Sequence, residues 1–369
     1  MKRWFIFILF FLLLGTGGWP VQAAEDWALA TKPRAWSFPQ DFGAHPEFRT
    51  EWWYFTGNLT DRSGSPYGYQ LTFFRQGIRR KLPPSSNSWD IRDLYLAHFA
   101  LTDGARKKFR AVDRLSREGP GLAGASLDGM GVWLFRWSAR MEGSVILLEA
   151  RDPHMEINLQ LVPRKPPVVH GQNGFSQKGP GRGQASYYVS LTDLRTQGTL
   201  KPDSSAPASE VQGTSWFDQE FGSNQLAPNQ KGWDWFSLHL SDGRDLMIYF
   251  LRLKNDSVEP ASSGTLVTPN GDGHHLRLGD MKVSVLDRWK SPRSKGEYPS
   301  RWRIQIPSAK IDLTISPLIA DQELDTKGST GVNYWEGAVS GRGVSAGRRV
   351  SCEGYVELTG YAGTLEGIF

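Results

Sequence analysis

The residues best equipped for chemistry lie in mid-chain: Trp216, Phe217, Asp218, Gln219, Glu220, Phe221 and Gly222, followed by Trp233, Asp234 and Trp235. Asp218 and Glu220 stand two apart inside an aromatic run. On a strand the side chains alternate between faces, so Trp216, Asp218 and Glu220 share one side and Phe217, Gln219 and Phe221 the other. A carboxylate held against rings loses solvation and is pushed towards its neutral form, and a like charge nearby pushes the same way. Such a pair can keep a proton at neutral pH and act as a general acid. The other reading is a sheet edge with its acids in water and its rings in the core. Perturbed acids also occur in structural ion networks, so the motif alone leaves both readings open.

The elements that must carry these residues read as strands. The chain of 369 residues holds 15 Trp, 19 Phe and 11 Tyr, and its 40 Gly and 22 Pro cut it into short pieces. Aromatic load and short segments favour an all-β protein. Glu51–Leu59 and Tyr67–Phe74 form a hairpin, and Trp52, Trp53, Tyr54 and Phe55 put rings on both faces of its first strand. A strand apolar on both sides must be covered on both. Further strands are expected at Leu94–Thr102, Lys108–Leu115, Val132–Trp137, Val145–Arg151 and Met155–Val162, then a long loop over 163–183 before Tyr187 and Tyr188. His98, in an apolar strand, reads as a buried histidine satisfied by a backbone carbonyl.

The polar piece 223–231, with Pro228, separates an N-terminal domain, 45–224, from a C-terminal one, 225–369. In the next strand Asp234, Phe236, Leu238 and Leu240 face their own barrel, which leaves Trp233 and Trp235 for the first domain or for a ligand between the two. Later strands are expected to the end of the chain, with a short helix over Leu318–Asp325. Two sets of short strands suggest two antiparallel β-barrels packed together, a form that closes its own edges. The run Tyr334, Trp335, Glu336 sets another acid beside rings, and Glu353 and Glu357 sit near the end; Glu336 reads as structural.

The first 23 residues read as a signal peptide: Lys2 and Arg3, an apolar run Trp4–Leu14, then small residues, with cleavage expected after Ala23. Export to the periplasm or medium follows from that reading. Loss of Lys2 and Arg3 lowers the formal charge of +5 by two, and the remaining basic groups sit beside turn signals, which argues against a nucleic-acid surface. Cys352 is alone, so no intrachain disulfide forms and no zinc or redox cluster is expected. Neither a cofactor nor a metal is called for.

Eight runs together resemble one known family. EWWYFTGNLTD (51–61), YGYQLTFFR (67–75), ASYYVSLTDL (185–194), WFDQEFG (216–222), GWDWFSLHL (232–240), YPSRWRIQIP (298–307), YWEGAV (334–339) and GYVELTGY (354–361) are similar, in the same order, to the AttH and carotenoid 1,2-hydratase (CrtC)-like proteins. The resemblance implies two lipocalin-like barrels in tandem. It also implies an activity that varies within the fold, including cofactor-free addition of water to a carbon–carbon double bond. Where the family pattern commonly reads Asp, His, Glu, this chain has Asp218, Gln219, Glu220, which puts in doubt any mechanism that needs that histidine.

Two function classes follow for an aromatic cavity holding a hydrophobic, isoprenoid or lipid-like small molecule. In the first, Asp218 or Glu220 protonates a double bond while Trp216, Trp233, Trp235, Tyr188, Trp53 and Trp335 wall the substrate and stabilise a cation. In the second the protein is a non-catalytic carrier, served by an envelope transport system, and the two acids pair with arginines such as Arg75 or Arg252. A secreted hydrolase of glycosides or esters is a weaker third, resting on paired acids and tryptophan platforms.

Overall fold

The computed structural model describes residues 27–363 except 83, 88 and 225. The signal-peptide segment, 1–23, lies outside the described residues. The chain folds as two large curled antiparallel sheets, two barrel-like bodies in tandem, and among the described residues the helical content is confined to the single turns Gln40–Phe42, Leu278–Asp280 and Pro307–Ala309. The expected helix over Leu318–Asp325 is absent: Glu323–Asp325 instead pairs as a strand with Asn333–Ser345.

The first sheet runs from Thr50 to Gly222. At its centre Ser209–Gly222 lies between Thr50–Asp61 and Ala185–Lys201. Register fixes the faces: Tyr54 opposes Asp218 and Trp52 opposes Glu220, while Trp53 opposes Gln219 and Phe55 opposes Phe217. Trp53, Phe55 and Phe217 point inward, into a core shared with Leu71, Phe73 and Phe99. The expected strand Val132–Trp137 is two strands, Gly131–Leu134 and Trp137–Glu142, because Phe135 takes a left-handed φ of 56° at the turn between them. Within the expected long loop, Val168–Val169 and Phe175–Gln177 pair with Ala185–Lys201.

The second sheet begins at Gln230. Gln230–Leu240 pairs with Asp245–Leu253 and with Arg348–Ala362, which in turn pairs with Asn333–Ser345. Its inner face holds Phe236, Leu238, Trp302, Trp335 and Val356. The two sheets meet through a third buried cluster, with Tyr54, Tyr188 and Trp216 on one side and Trp235, Tyr249, Leu251 and Tyr355 on the other. This contact explains why the first hairpin and the strand from Gln230 are apolar on both faces. Close approach is also written into Gly68, where a Cβ would stand 2.6 Å from Ala338 Cβ and 2.8 Å from the Tyr355 hydroxyl. His98 joins the halves with side chains rather than a backbone carbonyl: Nδ1 lies 2.8 Å from the Tyr334 hydroxyl and Nε2 3.0 Å from Ser329 Oγ.

Candidate functional site

A cavity of about 100 Å3 opens between the two sheets, with walls that are mostly aromatic. That is below the roughly 300–1,000 Å3 of a drug-sized pocket, so it admits a short part of a molecule. The first sheet contributes Trp52, Tyr54, Tyr188, Asp218 and Glu220; the second contributes Trp233, Trp235, Tyr249, Glu336 and Glu357. Four carboxyl groups thus line one small space.

Asp218 is held by donors. Tyr188 Oη donates to Oδ2 at 2.5 Å, Trp216 Nε1 to Oδ1 at 2.5 Å, and Ser190 Oγ also to Oδ1. Trp235 Nε1 donates to the Tyr188 hydroxyl at 3.0 Å, which ties this wall to the opposite one. Burial nevertheless outweighs the three hydrogen bonds, and with the Glu220 charge nearby Asp218 is raised to about 7. Glu220 is engaged otherwise: Lys178 Nζ lies 2.9 Å from its Oε1, and Ser186 Oγ donates to the same oxygen. The Lys178 ammonium rests over the Tyr249 and Tyr188 rings at 4.1 and 5.1 Å. Burial works against its charge, but the Glu220 carboxylate prevails and raises its pKa.

Glu336 and Glu357 face each other in adjacent strands of the second sheet. Glu357 accepts a hydrogen bond from Trp233 Nε1 at 2.8 Å and is raised to about 7, first by burial, with the charges of Asp218 and Glu220 adding to it. Glu336 is 1% exposed, and neither of its carboxyl oxygens completes a hydrogen bond. The Tyr54 and Tyr334 hydroxyls lie near enough to favour its charge, yet burial and the adjacent Glu357 hold it well above the ordinary carboxylate range. A buried carboxyl without partners stays protonated. Asp218, raised to about 7, and Glu336, raised well above the ordinary carboxylate range, stand on opposite walls as a base and an acid, the separation of roles that acid–base catalysis uses.

A sequence profile of the AttH-like family matches residues 29–361. The chain belongs to the AttH-like family. The crystal structure of a protein assigned to AttH from Nitrosomonas europaea is 35% identical, superposes with a TM-score of 0.81, and covers 90% of this chain and 99% of its own. Kievitone hydratase from Nectria haematococca shares the fold at 15% identity and TM-score 0.68, covering 93% of this chain and 98% of its own. CghA shares it at 11% identity and TM-score 0.53, covering 91% and 96%. No curated protein sequence matches the chain.

Within this AttH-like fold the residues singled out from sequence take different places. Asp218, Glu220, Tyr188, Trp233 and Trp235 line the cavity, and Trp216 stands behind it, bonded to Asp218. Trp53 and Trp335 do not reach it: each is buried in the core of its own barrel, donating to Phe42 O and Ala320 O. Their strand neighbours Trp52 and Glu336 take the cavity face. Arg75 and Arg252 are not counterions of the site either. Arg75 binds Glu51 and Asp93, and Arg252 binds Asp234. Gln219 points away from the cavity, donating to Gly43 O at 2.8 Å and Glu51 Oε1 at 3.0 Å, so the departure from the family's histidine falls in the first barrel's core.

Glu336, Glu357, Trp52 and Lys178 complete the site, although the sequence reading made Glu336 structural and gave the other three no role in a site. Alternation offered a signal for Glu357, which shares with Glu353 and Tyr355 the face that Cys352, Gly354 and Val356 do not. Lys178 follows the Phe175–Gln177 strand, inside what reads as a loop. Among the described residues no group of three or more His, Cys, Asp or Glu is placed to hold a metal ion.

Proposed function

We propose that the cavity binds the unsaturated end of a largely apolar molecule, of the isoprenoid or lipid-like kind, and adds water across its carbon–carbon double bond by acid catalysis. The observation that carries this reading is Glu336, a buried carboxyl with both oxygens unpartnered beside Glu357, facing Asp218 on the other wall. Glu336 gives its proton to one alkene carbon, the π electrons forming the new C–H bond and leaving a cation on the other carbon. The rings of Trp52, Trp233 and Trp235 surround that charge, each contact contributing about 0.5–2 kcal/mol. A water oxygen closes the C–O bond and Asp218 takes the proton that water loses. Asp218 then releases a proton, and Glu336 regains one.

The fold is shared with a protein named a hydratase, but at 15% identity the fold is all that likeness supports, so the reaction class rests on the carboxyls. Export through the N-terminal segment belongs to the same proposal, since an apolar ligand in an envelope compartment fits a cavity closed by two barrels.

The test is incubation with a panel of acyclic isoprenoid alkenes in 18O-labelled water, read by mass spectrometry. Product carrying one added labelled water is expected, with loss of about 10²–10⁴-fold in Glu336→Gln, the usual contribution of a placed acid. Bound but unchanged alkene would favour the carrier, and full turnover in Glu336→Gln would end this mechanism.

A further inference from the structure

His170 lies behind the cavity wall, 1% exposed, directly after the Val168–Val169 strand. Its Nε2 is 2.6 Å from Ser190 Oγ, and its Nδ1 is 2.8 Å from Thr265 Oγ1 in the second sheet. Ser190 Oγ in turn donates to Asp218 Oδ1. Four side chains from both halves therefore form one unbroken hydrogen-bonded row that starts at a cavity carboxyl. At its far end Thr265, itself 3% exposed, pairs across strands with His275, and it is His275, an exposed residue, that lines an open outer cleft of about 220 Å3. Asp218 itself is 3% exposed.

A histidine kept only for packing is commonly fixed by a backbone carbonyl, which accepts and cannot donate. Both partners of His170 are hydroxyls, able to give a proton on one side and accept one on the other, so either tautomer is satisfied. We infer that Ser190, His170 and Thr265 form a proton relay by which Asp218 exchanges its proton with solvent at the outer cleft. This deepens the proposed function, since it supplies the release of the proton that Asp218 takes from water.

The transfer balances. Asp218 gives its proton to Ser190 Oγ, Ser190 passes its own to His170 Nε2, His170 Nδ1–H passes to Thr265 Oγ1, and the Thr265 proton leaves to water. The ring changes from its Nδ1–H to its Nε2–H tautomer, and the reverse shift brings a proton in. His170 stays neutral throughout: burial lowers it to about 3, with the Lys178 and His275 charges adding to the effect. His170 is a positioning residue, acting through Ser190 on Asp218.

His98 provides the contrast. It too lies between two hydroxyls, Tyr334 and Ser329, but its row stops at Tyr334 because Glu336 completes no hydrogen bond.

The experiment is a stopped-flow pH jump across the Asp218 transition, followed by tryptophan fluorescence. Trp216 donates to Asp218 and reports its state, and Asp218→Asn identifies the signal by removing it. His170→Gln keeps a donor and an acceptor but cannot pass a proton. It is expected to slow relaxation about tenfold or more with the midpoint unmoved, and Thr265→Val, which cuts the outer link, is expected to do the same. His98→Gln is expected to relax at the unmodified rate. Unchanged rates in both His170→Gln and Thr265→Val would overturn the relay, as would a midpoint shift of about one unit with the rate unchanged. If His170→Gln fails to fold, Thr265→Val decides alone. No substrate is needed, so an inactive alkene assay leaves this result standing, and a failed pH jump leaves the hydration reading standing.

Discussion

Two buried carboxyls, Glu51 and Glu336, are equally hidden from water and are driven in opposite directions. Glu51, 0% exposed, accepts from the His45 backbone at 2.8 Å, lies 2.8 Å from the His45 ring and 3.4 Å from Arg75, and receives Gln219. Burial alone would raise it, yet those partners outweigh burial and its pKa is lowered. Glu336 has burial and Glu357 against its charge and no completed hydrogen bond in its favour, so it is raised. Burial raises both carboxyls, and the sign reverses only where partners outweigh it. The satisfied cluster holds a barrel together. The unsatisfied one is pushed towards its neutral form.

The largest break in this comparison comes from Arg75, which also donates to His45 O and Phe48 O at 3.0 and 2.7 Å. Arg75→Met removes the buried cation shared by Glu51 and Asp93, leaving them only His45, Gln219 and Arg92, and is expected to cost about 3–5 kcal/mol in denaturant unfolding, without touching the cavity.

Next is the pH dependence. Asp218 and Glu357 have folded pKa values raised from 3.8 and 4.5 to about 7, so the folded state binds more protons than the unfolded state between those limits. Stability from these groups is therefore present below pH 4 and falls as pH rises to 7, by up to about 4 kcal/mol for each before coupling is allowed for. Asp218→Asn and Glu357→Gln are expected to flatten that fall, measured as melting temperature against pH. Gly68→Val should cost less, about 1–3 kcal/mol, by forcing Ala338 and Tyr355 away.

The smallest effect is expected from Gln219→His, which restores the residue common in the family. Since Gln219 lies on the Glu51 side, the cavity titration near pH 7 should stay put, with a stability change within about 1 kcal/mol. A large shift of the Asp218 midpoint would show that the two faces of the strand are coupled.

Much of this was legible in the chain. Strand positions followed from alternation and turn residues, and Asp218 and Glu220 were placed on one face because they stand two apart. What alternation cannot supply is register between distant strands. Trp52 and Trp53 are equivalent until Thr50–Asp61 is set against Ser209–Gly222, and only then does Tyr54 fall beside Asp218 and Trp53 beside Gln219. Glu336 read as structural for the same reason. Its meaning depends on what does not bond to it: Glu357 comes beside it through the pairing of distant strands, and Tyr54 and Asp218 reach its neighbourhood only through the packing of two sheets. Lys178 was hidden differently, in a polar stretch without periodicity whose short strands exist only through pairing with Ala185–Lys201.

The central claim is that Glu336 keeps its proton at neutral pH. Infrared difference spectroscopy between the unmodified protein and Glu336→Gln at pH 7 tests it most directly. A protonated-carboxyl stretching band at pH 7 that the substitution removes is expected. A carboxylate signal from Glu336 at pH 7, with no protonated band lost, would contradict it.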